Sequence, residues 1–324
     1  MGKRERILEA LWRSETPVSG ERLAAALGVS RAAVWKEIAA LREEGYEIES
    51  RTNRGYRLCA APDVLSEAEI LALSAPAAPR LYLLPEVDST STYAKRLALE
   101  GVREAVVIAE RQTGGRGRLG RSFASPAGKG LYLSALIRPP LETADCALVT
   151  ACAGVAVCDA VEELAGRRPS IKWTNDPQFD GKKLCGILTE LSTEGESGRV
   201  LSLVVGVGIN VSQTETDFGE LAGSATSIVL STGKQVRRAA LAAAVIRALT
   251  RMERALHEEG TERYITQYRA DCSTVGKAVT VITPRGRRAA RALAVTDRAE
   301  LLVEYEDGSR EALSSGEVSV RPAQ

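Results

Sequence analysis

Residues Gln112 to Arg121 read Gln-Thr-Gly-Gly-Arg-Gly-Arg-Leu-Gly-Arg, with four glycines and three arginines in ten positions. Glycine at that density disfavours a helix or strand interior, so the stretch must be a loop. It follows the strand candidate Ala105–Ala109, and packing alone does not explain three guanidinium groups gathered in one place. Gly115, Gly117 and Gly120 satisfy G-x-G-x-x-G, but a dinucleotide fold needs a helix next. Ser122 to Gly130 contain Pro126, Gly128 and Gly130 and lead into the strand candidate Leu131–Leu136 instead. No G-x-x-x-x-G-K-[ST] loop is present, which excludes a P-loop ATPase. Asp217-Phe218-Gly219 mimics the kinase D-F-G without the H-R-D and V-A-I-K segments that give it meaning. An RNA-gripping Arg/Gly tract would repeat and interleave aromatics, and this one does neither.

Two further segments carry polar chemistry at strand ends. Ile171-Lys172-Trp173-Thr174-Asn175-Asp176 is followed by Gly181-Lys182-Lys183-Leu184-Cys185-Gly186-Ile187-Leu188-Thr189-Glu190. The third is Val204-Val205-Gly206-Val207-Gly208-Ile209-Asn210, an apolar strand whose glycines leave room for a ligand before a polar Asn. Arg, Lys, Asn and Asp at strand ends describe a site for an anion. The single histidine, His257, rules out a serine triad, a two-His metalloprotease site and a His₃ metal site, and its charged helical surroundings read as solvated surface. Cys59, Cys146, Cys152, Cys158, Cys185 and Cys272 show no metal-ligand spacing and read as reduced core residues.

The chain of 324 residues is longer than one compact domain usually holds. Ile7, Leu8, Leu11 and Trp12 recur at helical spacing. Ser19 starts a second helix that stops at Gly28, and Ser30 caps a third with Val34, Ile38 and Leu41 inward and Arg31, Lys36 and Arg42 outward. Gly45 ends it. Tyr46, Ile48, the turn Thr52–Gly55 and Tyr56-Arg57-Leu58 follow as a hairpin, so the pattern is a winged helix-turn-helix. Ser30, Arg31, Lys36 and Arg54 are its candidate DNA contacts, with Arg51 and Arg57 nearby. Glu37, Glu43, Glu44, Glu47 and Glu49 dilute this basic face. Since 43 basic residues meet 42 acidic ones, DNA affinity must come from such a local patch rather than from a net charge of +1.

An Ala/Pro-rich stretch around a short helix, 66–73, reads as a linker. Between 81 and 271 strand candidates (Ser170–Trp173, Cys185–Leu191 and Leu201–Val207 beside the two above) mix with helix candidates Thr92–Glu100, Thr143–Leu164, Arg238–Glu259 and Glu262–Ala270. After Ser273 come five short strands, Ala278–Ile282, Arg288–Val295, Glu300–Tyr305, Arg310–Leu313 and Glu317–Val320, the makings of a small β-barrel. The expected division is a DNA-binding unit 1–60, a linker 61–80, a catalytic unit 81–271 and a barrel 272–324. No apolar run is long enough for a membrane span, and the start has no signal-peptide pattern, so the expected location is the cytoplasm.

The three polar segments, in this order and spacing, resemble the biotin–protein ligases, whose hallmark is G-R-G-R-x-G-R followed by K-W-x-N-D and K-x-x-G-I-L. The flanking units fall where the bifunctional ligase/biotin-operon-repressor subclass has them. The resemblance implies an α/β catalytic domain with a mixed α+β sheet of the biotin/lipoate ligase type, and a small C-terminal barrel of the SH3-like kind. It implies the substrates biotin and ATP, with Mg²⁺ near Asp176 and no resident metal site. Biotinyl-5'-AMP would form and pass its acyl group to a lysine on the biotin carboxyl carrier domain of a biotin-dependent carboxylase. That adenylate would also be the corepressor, favouring a homodimer on operator DNA of biotin genes.

Carried over by position, Ser89, Thr90, Ser91, Gln112, Arg116, Gly117, Arg118, Lys183 and Gly186 would bind biotin. Arg118, Arg121, Lys172, Asn175, Asp176 and Asn210 would face the nucleotide, and Lys183, Arg118 and Arg116 would act in the chemistry. Three positions depart from the family pattern: Ser91 stands for Asn or Gln, Thr174 for Pro, and Pro177 for an aliphatic residue. A lipoate or octanoate ligase shares the fold but lacks the G-R-G-R-x-G-R loop. A ligand-sensing repressor without ligase activity would have no need of Lys183, Arg118 and Asn175 together.

Overall fold

Alternation along two central strands decides how the middle of the molecule is layered. In the strand Ala105–Gln112, residues 105 and 107 face one way and 106 and 108 the other, as the two-residue period of a strand requires. A computed structural model describes residues 2–14, 16–51, 54–76, 80–138, 146–193, 200–283, 286–314 and 317–320. It opens with the helices α1 (Lys3–Trp12), α2 (Gly20–Leu27) and α3 (Arg31–Glu43) and the hairpin strands β1 (Glu47–Arg51) and β2 (Gly55–Ala60). The predicted caps are present. Ser19 Oγ accepts from Arg22 N–H, Ser30 Oγ accepts from Ala33 N–H, and Gly28 closes α2 at φ 64° in the left-handed region. Ile7, Leu8, Leu11, Leu23, Val34, Ile38, Leu41, Tyr46 and Ile48 form the core of this unit.

The next helix, α4 (Glu67–Ser74), is capped by the Ser66 hydroxyl and buries Ala68, Glu69 and Ile70. It packs against α1 on one side and against a long later helix on the other. The catalytic-domain candidate then runs β3 (Leu81–Val87), α5 (Thr90–Leu99), β4 (Ala105–Gln112), β5 (Gly130–Ile137), α6 (Cys146–Ala165), β6 (Ser170–Lys172), β7 (Asp176–Phe179), β8 (Lys182–Lys183), β9 (Cys185–Thr193) and β10 (Val200–Asn210). The helices α7 (Glu215–Phe218), α8 (Ile228–Thr232), α9 (Arg238–Glu258) and α10 (Glu262–Asp271) follow. The main sheet has the order β3-β4-β5-β10-β9, with β3 and β4 parallel and the other neighbours antiparallel. Ala105 and Val107 meet Ala94 and Leu97 of α5, while Val106 and Ile108 join the larger core shared with α6 and α9. A helix therefore covers one face and a helical layer the other. A small sheet, β6-β7-β8, stands apart from the main one.

The remaining strands, β11 (Ala278–Thr283), β12 (Gly286–Val295), β13 (Leu301–Tyr305), β14 (Arg310–Leu313) and β15 (Glu317–Val320), pair antiparallel in the order β14-β13-β12-β11-β15. All five were expected. This sheet is tied to β6: Trp173 N–H donates to Thr274 Oγ1 at 2.9 Å, and the Trp173 indole donates to the Ala299 carbonyl at 3.0 Å. Among the described residues, five elements escape the sequence reading, namely β3, β7, β8, α7 and α8. The first residues of the predicted helix 143–164, the turn residues Thr52 and Asn53, and Pro284-Arg285 lie outside the described residues, as does the side chain of Cys146. Cys152, Cys158, Cys185 and Cys272 are buried as expected; Cys59 is exposed on β2, where alternate side chains turn to solvent, so its reading as core is corrected. His257 is exposed.

Candidate functional site

The glycine- and arginine-rich stretch is a loop that folds back on itself. Gln112 pairs with Ser125 and Arg116 with Ser122, Phe123 N–H donates to the Gly115 carbonyl at 2.9 Å, and Gly117 N–H donates to the Arg121 carbonyl at 2.7 Å. A short 3₁₀ turn, Arg118–Gly120, forms the tip. Gly115 is obligatory for a steric reason: a Cβ there would sit 2.4 Å from the Phe123 carbonyl oxygen. The ladder presents Arg116, Arg118 and Arg121 to one cavity.

The other walls of that cavity come from six elements. The start of α5 gives Ser89, Thr90 and Ser91, the end of β4 gives Gln112, and the exit of β6 gives Lys172, Trp173, Asn175 and Asp176. β8 gives Lys183, while β9 and β10 give Gly186, Ile187, Leu188, Gly206, Val207 and Gly208. The Arg116–Arg118 turn and the Lys183 ammonium thus line the same space. Every biotin-site and catalytic candidate named from the sequence lines it, and so do Arg121, Lys172, Asn175 and Asp176. Asn210 does not. Its amide donates to the Thr226 carbonyl at 3.0 Å and accepts from Gln213 at 3.2 Å, behind the lining.

Polarity changes along β10. Near Gly206 the cavity is neutral and hydroxyl-rich: Ser134 donates to Thr90 Oγ1 at 2.8 Å and lies 3.0 Å from Ser91 Oγ, and Gln112 Oε1 accepts from both the Thr90 N–H and hydroxyl. Two residues farther, about 7 Å along a strand, Gly208 and Gly186 face the Phe123 ring, and Gly186 lies against the Lys183 stem. The strand glycines were expected to admit a ligand. The structure shows that they also admit the protein's own side chains, since a Cβ on Gly206 would meet Ser91 Oγ at 2.6 Å and one on Gly208 the Phe123 ring at 2.6 Å.

The cationic part holds Arg116, Arg118, Arg121, Lys172 and Lys183 against a single carboxylate among the described residues, Asp176. Lys183 Nζ lies 2.7 Å from Asp176 Oδ1, and Arg118 Nη1 donates to Asn175 Oδ1 at 2.9 Å. Asn175 is fixed in turn, its amide donating to the Ile187 carbonyl at 2.7 Å. The Trp173–Thr174 peptide at this turn is cis, and the buried Tyr268 hydroxyl donates to the Thr174 carbonyl at 2.9 Å. Lys183 is held by its backbone, donating to Ser224 O and accepting from Thr226 N–H, both at 2.8 Å. Sequence reasoning missed Phe123, Ser122, Ile187 and Leu188 in the lining and Ser134 behind it. The glycines at 186, 206 and 208 were the available signal, because a glycine inside a strand marks close approach.

On the winged unit, Ser30, Arg31, Lys36 and Arg54 are all exposed, with the Ser30 hydroxyl occupied as the α3 cap. Two of the glutamates that dilute the basic face, Glu37 and Glu44, pair with Arg4 of α1. Arg42 is tied to the wing through Ile48 O and Ser50 Oγ. Trp35, unremarked in the sequence, is 63% exposed on α3, one helical turn beyond Arg31.

Comparison with known proteins gives matches over all three units. A model described as HTH domain matches residues 3–57, the Biotin/lipoate A/B protein ligase family matches 83–210, and the Biotin protein ligase C terminal domain matches 274–321. A bifunctional ligase/repressor BirA from Bacillus subtilis is 35% identical over 302 residues, 92% of either chain. The protein of the same name from Escherichia coli is 29% identical over 306 residues, 94% of either chain. Among solved structures, a biotin protein ligase from Aquifex aeolicus in complex with biotin and ATP superposes with a TM-score of 0.65 at 31% identity, covering 75% of this chain and 99% of that one.

Proposed function

The chain belongs to the biotin protein ligase family, in its bifunctional ligase/repressor branch, and we propose that it joins biotin to ATP and passes the biotinyl group to a protein lysine. One observation carries this reading. Cations from a glycine-rich loop and from a separate strand converge with a neutral hydroxyl cluster on one cavity, whose wall between them is glycine and aromatic. Such a cavity suits a small acid with an uncharged polar head and an apolar stem, placed acid-first against a phosphate.

Two anions must meet when the biotin carboxylate attacks the α-phosphate, so the reaction requires positive charge and alignment rather than a protein nucleophile. Ser89, Thr90, Ser91 and Gln112 receive the head group, and Arg116, Gly117 and Gly186 flank the stem and carboxylate. Lys183 and Arg118 balance the charge that develops as the carboxylate oxygen bonds to phosphorus and pyrophosphate leaves. Arg121, Lys172 and Asn175 face the phosphates. Among the described residues, Asp176 is the one carboxylate in the lining, and no cluster of three or more His, Cys, Asp or Glu that could hold a metal occurs. This donor set fits Mg²⁺ that arrives with ATP, for which phosphate and water supply most ligands. Bound there, Mg²⁺ would screen the phosphate charge.

The acceptor is a lysine on the biotin carboxyl carrier domain of a biotin-dependent carboxylase, which attacks the mixed anhydride and releases AMP. Residues 1–60 bind operator DNA of biotin genes through α3 and the wing, residues 61–80 connect them to the ligase unit 81–271, and 272–324 form the terminal unit. Biotinyl-5'-AMP serves as corepressor by favouring a homodimer, since a two-fold pair of winged helices matches a palindromic site. The working compartment is the cytoplasm; no helix among the described residues is long and apolar enough to cross a membrane.

The test mixes the protein with ATP, Mg²⁺, biotin and a carrier domain, and looks for a biotin-sized mass increase on the carrier. Pyrophosphate release should follow biotin and not lipoate. Release stimulated equally by lipoate, or no mass change on any carrier domain, would overturn the ligase assignment. A footprint on biotin-gene DNA that ignores biotin and ATP would remove the regulatory half.

A further inference from the structure

α9 begins with two adjacent arginines, neither committed to the cavity. Arg237 turns toward the winged unit, where its guanidinium lies 4.6 Å over the Trp12 ring of α1 and pairs with Glu69 of α4, a carboxylate with no exposed surface. Arg238 is only 3% exposed. Its Nε donates to Asp63 Oδ2 at 3.1 Å, its Nη2 to the Asp63 carbonyl at 3.0 Å, and its Nη1 to Glu110 Oε1 at 2.6 Å. Its backbone N–H donates to Asp63 Oδ1 at 2.7 Å. Asp63, three residues beyond β2, therefore caps a helix 175 residues away that has no side-chain cap of its own.

Glu110 carries the link onward. The oxygen that takes Arg238 also accepts the Gly128 N–H at 2.8 Å, and Gly128 belongs to the foot of the 113–129 loop. Glu110 lies two residues before Gln112, at the end of β4. A buried cation with two carboxylate partners is held strictly in place, because removing either partner leaves its charge under-compensated.

We propose that Arg238 is a positioning residue for the ligase site, holding the foot of the arginine loop through Glu110 while Asp63 ties it to the winged unit. The pair Arg237–Arg238 then forms one mechanical connection: displacement of the winged unit pulls on Trp12 directly and on Glu69 and Asp63 through the connecting segment, and through Arg238 reaches Gly128. Winged-unit position and loop closure are coupled, in both directions as linkage requires. This inference rests on the ligase reading only for its catalytic consequence; the connection itself is independent of any substrate.

The experiment measures amide hydrogen exchange in the full chain without ligands, for wild type, Asp63→Asn and Arg238→Met. Asp63 is 38% exposed in its side chain, so Asp63→Asn keeps a fold even if Arg238→Met does not. Exchange across 126–129 should rise about tenfold, within the range for members of one ion-pair network, while β5 and α6 keep wild-type protection. The double variant Asp63→Asn/Glu110→Gln should open the loop no further than the worse single variant, since both act through Arg238. In the ligase assay the KM for biotin should rise about tenfold with kcat changed less than about twofold. Unchanged exchange at 126–129, strictly additive effects, or protection lost equally throughout the sheet would overturn the proposal. Failure of the wild type to form an adenylate would sink the ligase reading and leave the exchange result standing.

Discussion

Replacing Lys183 by Met removes one ammonium and keeps most of the aliphatic stem, and the structure separates what this does to folding from what it does to catalysis. The Lys183 side chain is 40% exposed and its partner Asp176 is 27% exposed, 2.7 Å away. A pair that accessible contributes at most about 1 kcal/mol to stability. The backbone bonds that hold β8, to Ser224 O and from Thr226 N–H, do not involve the side chain and survive the substitution. The stem lies against Gly186 beside Phe123, and methionine fills that space. Catalysis fares differently, because losing one positioned charge at a transition state costs about 10²–10³-fold, or roughly 3–4 kcal/mol. Biotin-dependent pyrophosphate release at saturating ATP should therefore fall about 10²–10³-fold while the thermal midpoint stays close to wild type. Release within about threefold of wild type by a folded Lys183→Met protein would refute the assignment of this lysine to the chemistry. A large fall in midpoint together with lost activity would instead show that the ion pair is structural.

Three other perturbations follow from the same geometry. Arg118→Ala cuts the tie from the loop tip to Asn175 Oδ1, a charged hydrogen bond of about 1.5–3 kcal/mol; the adenylate should escape faster and label bystander proteins, and an adenylate lifetime equal to wild type would count against a covering loop. Gly208→Ala drives a methyl to 2.6 Å from the Phe123 ring, an overpacking cost of about 1–3 kcal/mol, so the KM for biotin should rise and the midpoint fall, whereas wild-type values of both would mean that the ring moves freely. Glu69 is raised from 4.5 to about 7 by burial between α1, α4 and α9, with Arg237 opposing the shift and Asp63 adding to it. The folded chain then holds a proton that the unfolded chain has lost between pH 4.5 and 7, so stability falls as pH rises through that window, by up to about 3 kcal/mol. Glu69→Gln should flatten that part of the profile in thermal melts between pH 5 and 8, and an unaltered slope would exclude Glu69 as its source.

Local chemistry made much of this molecule legible in advance. Ser19, Ser30, Ser66 and Gly28 act through bonds within a few residues of themselves, so the helix starts and stops were readable from the sequence. β3 was not readable, for an equally physical reason. It is an edge strand, Leu-Tyr-Leu-Leu-Pro-Glu-Val, and Pro85 falls where the register with β4 skips a partner; proline is tolerated there because it has no N–H to give. β7 and β8 span four and two residues, too short for a period, and owe their existence to distant partners such as Ser273 and Ser224. The cavity divides in the same manner. Its charged members stand in contiguous motifs, whereas Phe123 and Ser134 become part of the site only when β5 pairs with β10 and sets Ser134 against Gly206 and Tyr132 against Gly208. Asn210, two residues farther along β10, is held by Thr226 and Gln213 outside the lining, a placement that its position beside the glycines does not reveal.

The cations of the site are kept in order by neighbours on one turn. Asn175 takes Arg118 and Asp176 takes Lys183, so two guests of the cavity, one from the loop and one from β8, are fixed by consecutive residues at the exit of β6. Five cations around one cavity repel one another; the Asp176 carboxylate and the neutral Asn175 amide relieve part of that repulsion while fixing the side chains in position. Preorganisation of this kind lowers the entropy that an anionic ligand must otherwise supply. It also sets a competition, because a carboxylate or phosphate that claims Lys183 must draw it from Asp176. On the proposed reading Asp176 would hold nucleotide-borne Mg²⁺, which would screen the phosphate charge, while the biotin acid competes with that carboxylate for the Lys183 ammonium.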